Sequence, residues 1–213
     1  MQEVRQHYYK TAGETLSKKL KRRNFQVILC DSLEDAKKKA IKRIDPKATV
    51  SFGGSNTLVE SGIIEDLYAR GQSIIDREKA ESLSERHQLM KRALTADVFL
   101  TSINGISEDG QLVNVDNVGN RVAAITYGPD KVFAFVGINK VYGDLDTTIS
   151  MVRKKTAPLN AHRIGLEHTP CIKKGICGDC LNEECICNTI AVTRRSWDAE
   201  RITIFLILEP VGF

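Results

Sequence analysis

Cysteine is the residue type in this sequence that most invites chemistry, because five of the six, Cys171, Cys177, Cys180, Cys185 and Cys187, fall within residues 171–187. The Cys177-x-x-Cys180 spacing lets both sulfurs face one ion, and Cys171 and Cys187 stand near enough on either side to complete a set of four thiolates. Cys185 is a substitute ligand. Zinc and an iron–sulfur cluster both accept four cysteines, and the spacing leaves the choice open. Redox thiols or disulfides are the alternative, which a reducing compartment disfavours. Cys30 stands alone in an apolar run and reads as core.

A second chemical signal is a set of small polar residues just past apolar runs. Ser102 and Asn104 stand at the end of the run Val98–Ile103, Asn120-Arg121 precede Val122–Tyr127, and Asn139-Lys140 follow Val132–Ile138. In α/β sheets, ligands bind where loops converge outside the carboxyl ends of strands. Gly53-Gly54-Ser55-Asn56-Thr57 stands between a strand and a helix, an order that offers backbone N–H groups to an anion. The plain alternative there is a tight turn with Ser55 as helix cap. Arg121 can clamp a carboxylate or phosphate through its planar fork, or pin the Asp116–Asn117 loop. Glu108 is the general base or nucleophile candidate, or else a turn residue facing water.

These residues need elements to hold them. Helices are expected over Gln2–Arg23, Leu33–Ile44, Leu58–Ser61, Ile63–Gly71, Lys79–Leu94 and Asp144–Lys154, the last closed by Pro158. Strands are expected over Phe25–Cys30, Thr49–Phe52, Gln72–Asp76, Asp97–Ile103, Gln111–Val115, Val122–Tyr127 and Lys131–Ile138, with a turn at Asp109-Gly110. Thr189–Thr193 and Arg201–Leu208 read as an edge hairpin around Trp197-Asp198. His87 falls on the stripe Ala80, Leu83, His87, Met90, Leu94, where a histidine is most often a hydrogen-bonded core residue. The order predicts a three-layer α/β fold with a mainly parallel central sheet, a β-hairpin insertion and a Cys-rich loop.

The totals narrow the function classes. The 213 residues, 42% hydrophobic and 27% charged, fit one globular α/β domain. Within it, 1–48 is a basic helical segment, 49–160 the core, 168–190 the Cys-rich loop and 189–210 the terminal strands. No run of about 18 apolar residues exists, so no membrane span is expected, and the N-terminus lacks signal-peptide character, which implies a cytoplasmic protein. Residues 1–48 carry 13 Lys+Arg against 6 Asp+Glu, or +7, and the remainder carries 18 against 21, or −3. No aromatics interleave with the basic residues, so nucleic acid is disfavoured as a partner. Homo-oligomerisation is left open.

The run ADVFLTSINGISEDGQLVNVDNVGNRVAAITYGPDKVFAFVGINK resembles the LUD family of lactate-utilisation proteins. SFGGSNTLVESG is similar to that family's glycine-rich turn, and TPCIKKGICGDC…ICN to the cysteine segment of its single-domain members. Two residues depart from the pattern: Gly105, where Ala is usual, and the additional Cys185. The resemblance favours Cys171, Cys177, Cys180 and Cys187 as the ligand set. It implies a fold of the NagB/RpiA/CoA transferase-like class, shared with coenzyme A transferases, ribose-5-phosphate isomerase and formyltetrahydrofolate cycloligase. It also implies a role in oxidising lactate or a similar small hydroxy acid beside iron–sulfur partner proteins. The alternatives are a stand-alone transferase or cycloligase acting on a phosphorylated or acyl substrate, and a metal-stabilised interaction module.

Overall fold

The computed structural model describes residues 2–213. The chain runs α1 (Gln2–Arg22), β1 (Gln26–Cys30), α2 (Leu33–Ile41), β2 (Thr49–Phe52), α3 (Asn56–Ser61), α4 (Ile63–Ala69), β3 (Ser73–Ile75), α5 (Leu83–Arg92) and β4 (Val98–Thr101). It continues with β5 (Gly105–Ser107), β6 (Leu112–Asp116), α6 (Asn120–Thr126), β7 (Lys131–Gly137), β8 (Val141–Tyr142), α7 (Leu145–Met151), α8 (Ala157–Arg163), α9 (Pro170–Lys174), β9 (Thr189–Thr193) and β10 (Ile202–Ile207). No helix among the described residues is long and apolar enough to cross a membrane.

Six strands form one wholly parallel sheet in the order β1-β10-β7-β4-β2-β3. Both faces of its centre are covered, so its strands read as unbroken apolar runs. On β7, Phe133 and Phe135 face one way, and Val132, Ala134 and Val136 the other. On β10, Phe205 and Ile207 alternate with Ile202, Ile204 and Leu206 in the same sense. The Phe205 ring lies 5.3 Å from Phe133 and 5.2 Å from Phe135, centroid to centroid. Each such buried ring contributes about 1.5–3 kcal/mol. Residues of α2, α3 and α4 pack on the phenylalanine face, while α1 and a second sheet cover the other.

That second sheet, β8-β5-β6-β9, is the predicted hairpin insertion enlarged. β5 and β6 pair antiparallel across the Asp109-Gly110 turn, β8 joins β5 in parallel, and β9 joins β6 antiparallel. The sequence expectation for the last strands therefore fails. β9 and β10 are not a hairpin: β10 inserts between β1 and β7 in the middle of the main sheet. Its apolar run, buried on both faces, is the property an edge strand lacks.

Residues 122–127 are the other correction. Residues 122–126 lie in α6 rather than a strand, and Tyr127 is its extended C-terminal cap. The run VAAIT is too short for periodicity to separate strand from buried helix, and its two alanines favour helix. Gly119 supplies the left-handed entry at φ 86°, and Asp116 Oδ2 accepts from Val122 N. Arg201, almost fully buried, donates to the carbonyls of Ala124, Ile125 and Pro129, closing the other end. Pro158 also plays a different part: it opens α8 rather than ending α7, the two being joined by a wider π-helical turn over Val152–Thr156.

Candidate functional site

One cavity of about 380 Å³ opens at the carboxyl rim of the main sheet. Its wall includes Gly54, Ser55, Asn56, Thr57, Ser102, Asn104, Asn120, Arg121 and Lys140, so nine of the twelve residues singled out from sequence converge on one space. The other three lie elsewhere. Gly53 stands behind the wall, where a Cβ would come within 2.9 Å of Arg121 Cδ. Asn139 is turned to the chain's end, with Oδ1 accepting from Val211 N at 3.1 Å and Nδ2 donating to Gly212 O. Glu108 is outside this cavity, in a shallow depression with Lys19, Asp109 and Asp144. The hairpin that carries it bends off the sheet rim to meet α1, where Gly110 lies against the Lys19–Leu20 backbone.

The glycine pair leads into the N-terminal end of α3 at the cavity wall. Helix α3 has only six residues, and Ser55 Oγ already caps it by accepting from Leu58 N. The glycines leave room for two arginines. A Cβ on Gly54 would come within 2.9 Å of Arg77 Nη2, as one on Gly53 would for Arg121.

Arg121, half-buried on the cavity wall, meets four neutral acceptors. Its Nη1 donates to Ser102 O at 3.0 Å and Asn114 Oδ1 at 2.8 Å, and its Nη2 to Asn104 Oδ1 and Val115 O, both at 2.7 Å. The guanidinium thus ties β4, β5 and β6 together at the cavity floor. Both arms of its fork are met by backbone and amide oxygens, none of them from the Asp116–Asn117 loop. Burial pulls its pKa down.

Lys140 is buried, in the short turn that follows β7. Its Nζ donates to Thr57 Oγ1 at 3.0 Å and Ser102 Oγ at 2.9 Å. Burial first, and the Arg121 charge second, pull its pKa down to about 8. Among the described residues neither Arg121 nor Lys140 forms a salt bridge. Buried cations without a carboxylate are costly to maintain.

Sequence reasoning missed the outer wall. Arg77, Arg86, His87 and Arg163 line the same cavity. Arg86 makes a two-pronged pair with Glu78, whose carboxyl Arg77 also meets. Arg163 rests on Asn160 Oδ1. The signal lay in the α5 stripe. Leu83 is exposed, and His87 and Met90 line the cavity, so that stripe faces a hollow rather than a core. Among the described residues Asp116 is the one side-chain carboxylate on the wall.

All five clustered cysteines line a second cavity of about 180 Å³. Arg153, from the π-helical turn, places Nη2 3.9 Å from Cys177 Sγ and pairs with Asp179. Its Nε is buried without a partner. An unpaired donor beside soft sulfur ligands suits a negatively charged thiolate centre, so the residues fit such a group. Among the described residues, no three His, Cys, Asp or Glu groups are drawn together closely enough to hold a metal ion. Burial, reinforced by the neighbouring thiols, pushes Cys187 up to about 12. Glu184 fastens the loop by accepting from the backbone of Glu167 and His168. Ala157 and Ile186 line both cavities, so one wall separates them.

The profile of the LUD domain family matches residues 13–207. The chain belongs to the LUD domain family. A crystal structure of a DUF162 family protein from Deinococcus radiodurans is similar along the same length, at 11% identity and TM-score 0.52, covering 93% of this chain and 98% of that one. That likeness is one of fold. Ribose 5-phosphate isomerase A from Neisseria gonorrhoeae matches more weakly, at 12% identity and TM-score 0.36 over 55% of this chain and 57% of its own. The isomerase from Methanocaldococcus jannaschii has 13% identity and TM-score 0.35, over 62% of each chain. No curated protein matches the sequence. The family is one associated with lactate utilisation.

Proposed function

We propose that this LUD domain protein binds a small organic anion in the rim cavity as part of a system that oxidises lactate or a similar hydroxy acid. One observation carries the reading: Arg77, Arg86, Arg121, Arg163 and the buried Lys140 all line the cavity, against Asp116 as the single side-chain carboxylate among the described residues of its wall. A ligand carboxylate or phosphate offsets that excess of positive charge, and Arg86 and Arg163 on the outer wall give it charge-assisted hydrogen bonds. Cys171, Cys177, Cys180 and Cys187, with Cys185 as substitute, hold a zinc ion or an iron–sulfur cluster. Such a cluster supplies one-electron transfer when bound, and zinc supplies structure. Arg153 offsets the charge of the thiolates.

Thermal unfolding with L-lactate, pyruvate or inorganic phosphate tests the anion site. A ligand at a hundredfold excess over its Kd stabilises by about 2.7 kcal/mol, a readable rise in Tm. Arg163→Ala leaves the fold intact and weakens binding roughly tenfold, since a tenfold loss is about 1.4 kcal/mol. Absence of any anion-induced shift, or shifts indifferent to Arg163→Ala, defeats the reading. Iron, sulfide and zinc analysis of protein purified without oxygen tests the cysteine loop. Cys177→Ser with Cys180→Ser removes the bound metal, and a wild-type protein carrying none refutes the loop's assignment.

A further inference from the structure

Three side chains from three separate elements meet at the cavity floor: Thr57 from α3, Ser102 at the end of β4, and Lys140 after β7. The amine stands 2.9 Å from one hydroxyl and 3.0 Å from the other. Among the described residues no carboxylate forms a salt bridge with it, and the Glu60 charge, which favours the protonated form, is outweighed by burial and by Arg121. A carboxylate would stabilise a lysine buried for support alone, whereas two hydroxyls and the adjacent Arg121 charge leave the proton easily lost. An amine of that kind can take a proton from the hydroxyl beside it.

The two hydroxyls are not equivalent. Thr57 is 1% exposed and Ser102 is 7% exposed. Gly212 lies over Thr57 Oγ1 so closely that not even a methyl could be added there. Ser102 is therefore the hydroxyl a ligand can reach, and its backbone carbonyl is fixed by Arg121. A hydroxyl, a base within hydrogen-bond reach and a third group orienting the base form the arrangement of an activated nucleophile.

We infer that Ser102 is a nucleophile with Lys140 as its general base and Thr57 as the residue that positions Lys140, and that the cavity cleaves or transfers the acyl group of an ester or thioester bearing an anionic group. Ser102 Oγ bonds to the acyl carbon as Lys140 Nζ takes the hydroxyl proton. The C–O or C–S bond to the leaving group then breaks, and Nζ returns the proton to the departing atom. Water, or an acceptor hydroxyl or thiol, gives its proton to Nζ, attacks the acyl-Ser102 ester and frees Ser102 Oγ, which regains that proton. Nothing is oxidised or reduced. The substrate's anion lies on the outer arginines, leaving Lys140 to its hydroxyls. The anionic requirement rests on the reading of the pocket given above, while the Ser102–Lys140 pair does not.

The test is labelling by a fluorophosphonate, read by intact-protein mass spectrometry and peptide mapping, together with the release of 4-nitrophenolate from 4-nitrophenyl acetate. The expected result is a single adduct at Ser102 and a stoichiometric burst, both accelerating with pH around a midpoint near the Lys140 value of about 8. Ser102→Ala abolishes label and burst but keeps the anion-induced rise in Tm. Lys140→Met slows labelling roughly a hundredfold or more and removes the pH inflection. Thr57→Val leaves Ser102 as the labelled residue and moves the midpoint, an effect that loss of packing alone does not produce. If Lys140→Met does not fold, the Thr57→Val midpoint decides, and an unmoved midpoint overturns the inference. So does an unlabelled wild type, or an adduct elsewhere. Labelling of Ser102 without any anion-induced shift instead sinks the anion reading and leaves the pair standing.

Discussion

A single lysine sets the pH behaviour of the cavity. Lys140 has its pKa lowered from 10.5 to about 8, chiefly by burial. Below pH 8 both folded and unfolded chains carry the charge, so the folded state bears the full burial penalty, about 3 kcal/mol. Between about pH 8 and 10.5 the unfolded chain binds more protons, so this group's contribution to stability rises with pH. Replacing it by Met removes the penalty. Denaturant titrations of wild type and Lys140→Met across that range are expected to show the variant's relative advantage shrinking by about 3 kcal/mol as pH rises. A constant difference would mean that the amine is not buried as charge. At the same scale, Gly105 has little room: a Cβ there would come within 2.7 Å of Val152 Cγ2 and 2.9 Å of Thr148 Cγ2. Gly105→Ala is expected to cost about 1–3 kcal/mol by overpacking, measured as a lower urea midpoint at unchanged m-value.

Among the elements, α6 depends most on a residue far away in the chain. Arg201 holds two carbonyls in its C-terminal turn, those of Ala124 and Ile125, and a third, Pro129 O, just beyond it. Arg201→Met leaves those carbonyls buried and unpaired, at about 1–3 kcal/mol each where water cannot enter. The expected result is a loss of several kcal/mol in urea unfolding, together with weaker ligand binding, because α6 carries Asn120 and Arg121 into the cavity. This element also marks where sequence reading stopped. Helix α2, with Ser32 as its cap, and the β5–β6 hairpin at Asp109-Gly110 could be read locally, because a cap or turn residue sits beside the element it controls. The helical state of 122–126 could not, since Arg201 and Asp116, which close it, act from outside the run. The same distinction holds for the site. Polar residues just past strand ends were legible as cavity lining. Arg77, Arg86 and Arg163 were not, because helices bring them over the rim from surfaces that read as ordinary solvated charge.

Across the whole molecule, two cavities share a wall. Ile186 stands between Cys185 and Cys187 and lines both hollows. Alkylating the loop cysteines, or stripping a bound metal, is expected to weaken anion binding without touching an anion contact. Titrating phosphate against native and iodoacetamide-treated protein measures this, and equal affinities would show the wall to be independent of the sulfurs. Arg23 ties the distant side together, donating to Asp109 O and Oδ2 and to Arg194 O, so part of the basic first quarter is engaged within the protein.

The placement of β10 has an outcome in time as well as in space. Residues 202–207 pair with β1 on one side and β7 on the other, although β1 is among the first segments made. Until that late stretch is synthesised, the ribosome presents β1 as a lone strand and β7-β4-β2-β3 as a four-stranded sheet, each with an open ladder of N–H and C=O groups. Such edges invite pairing with other chains. Fragments ending before residue 202 are therefore expected to aggregate rather than fold, and nascent chains of this protein to need shielding until the gap is filled.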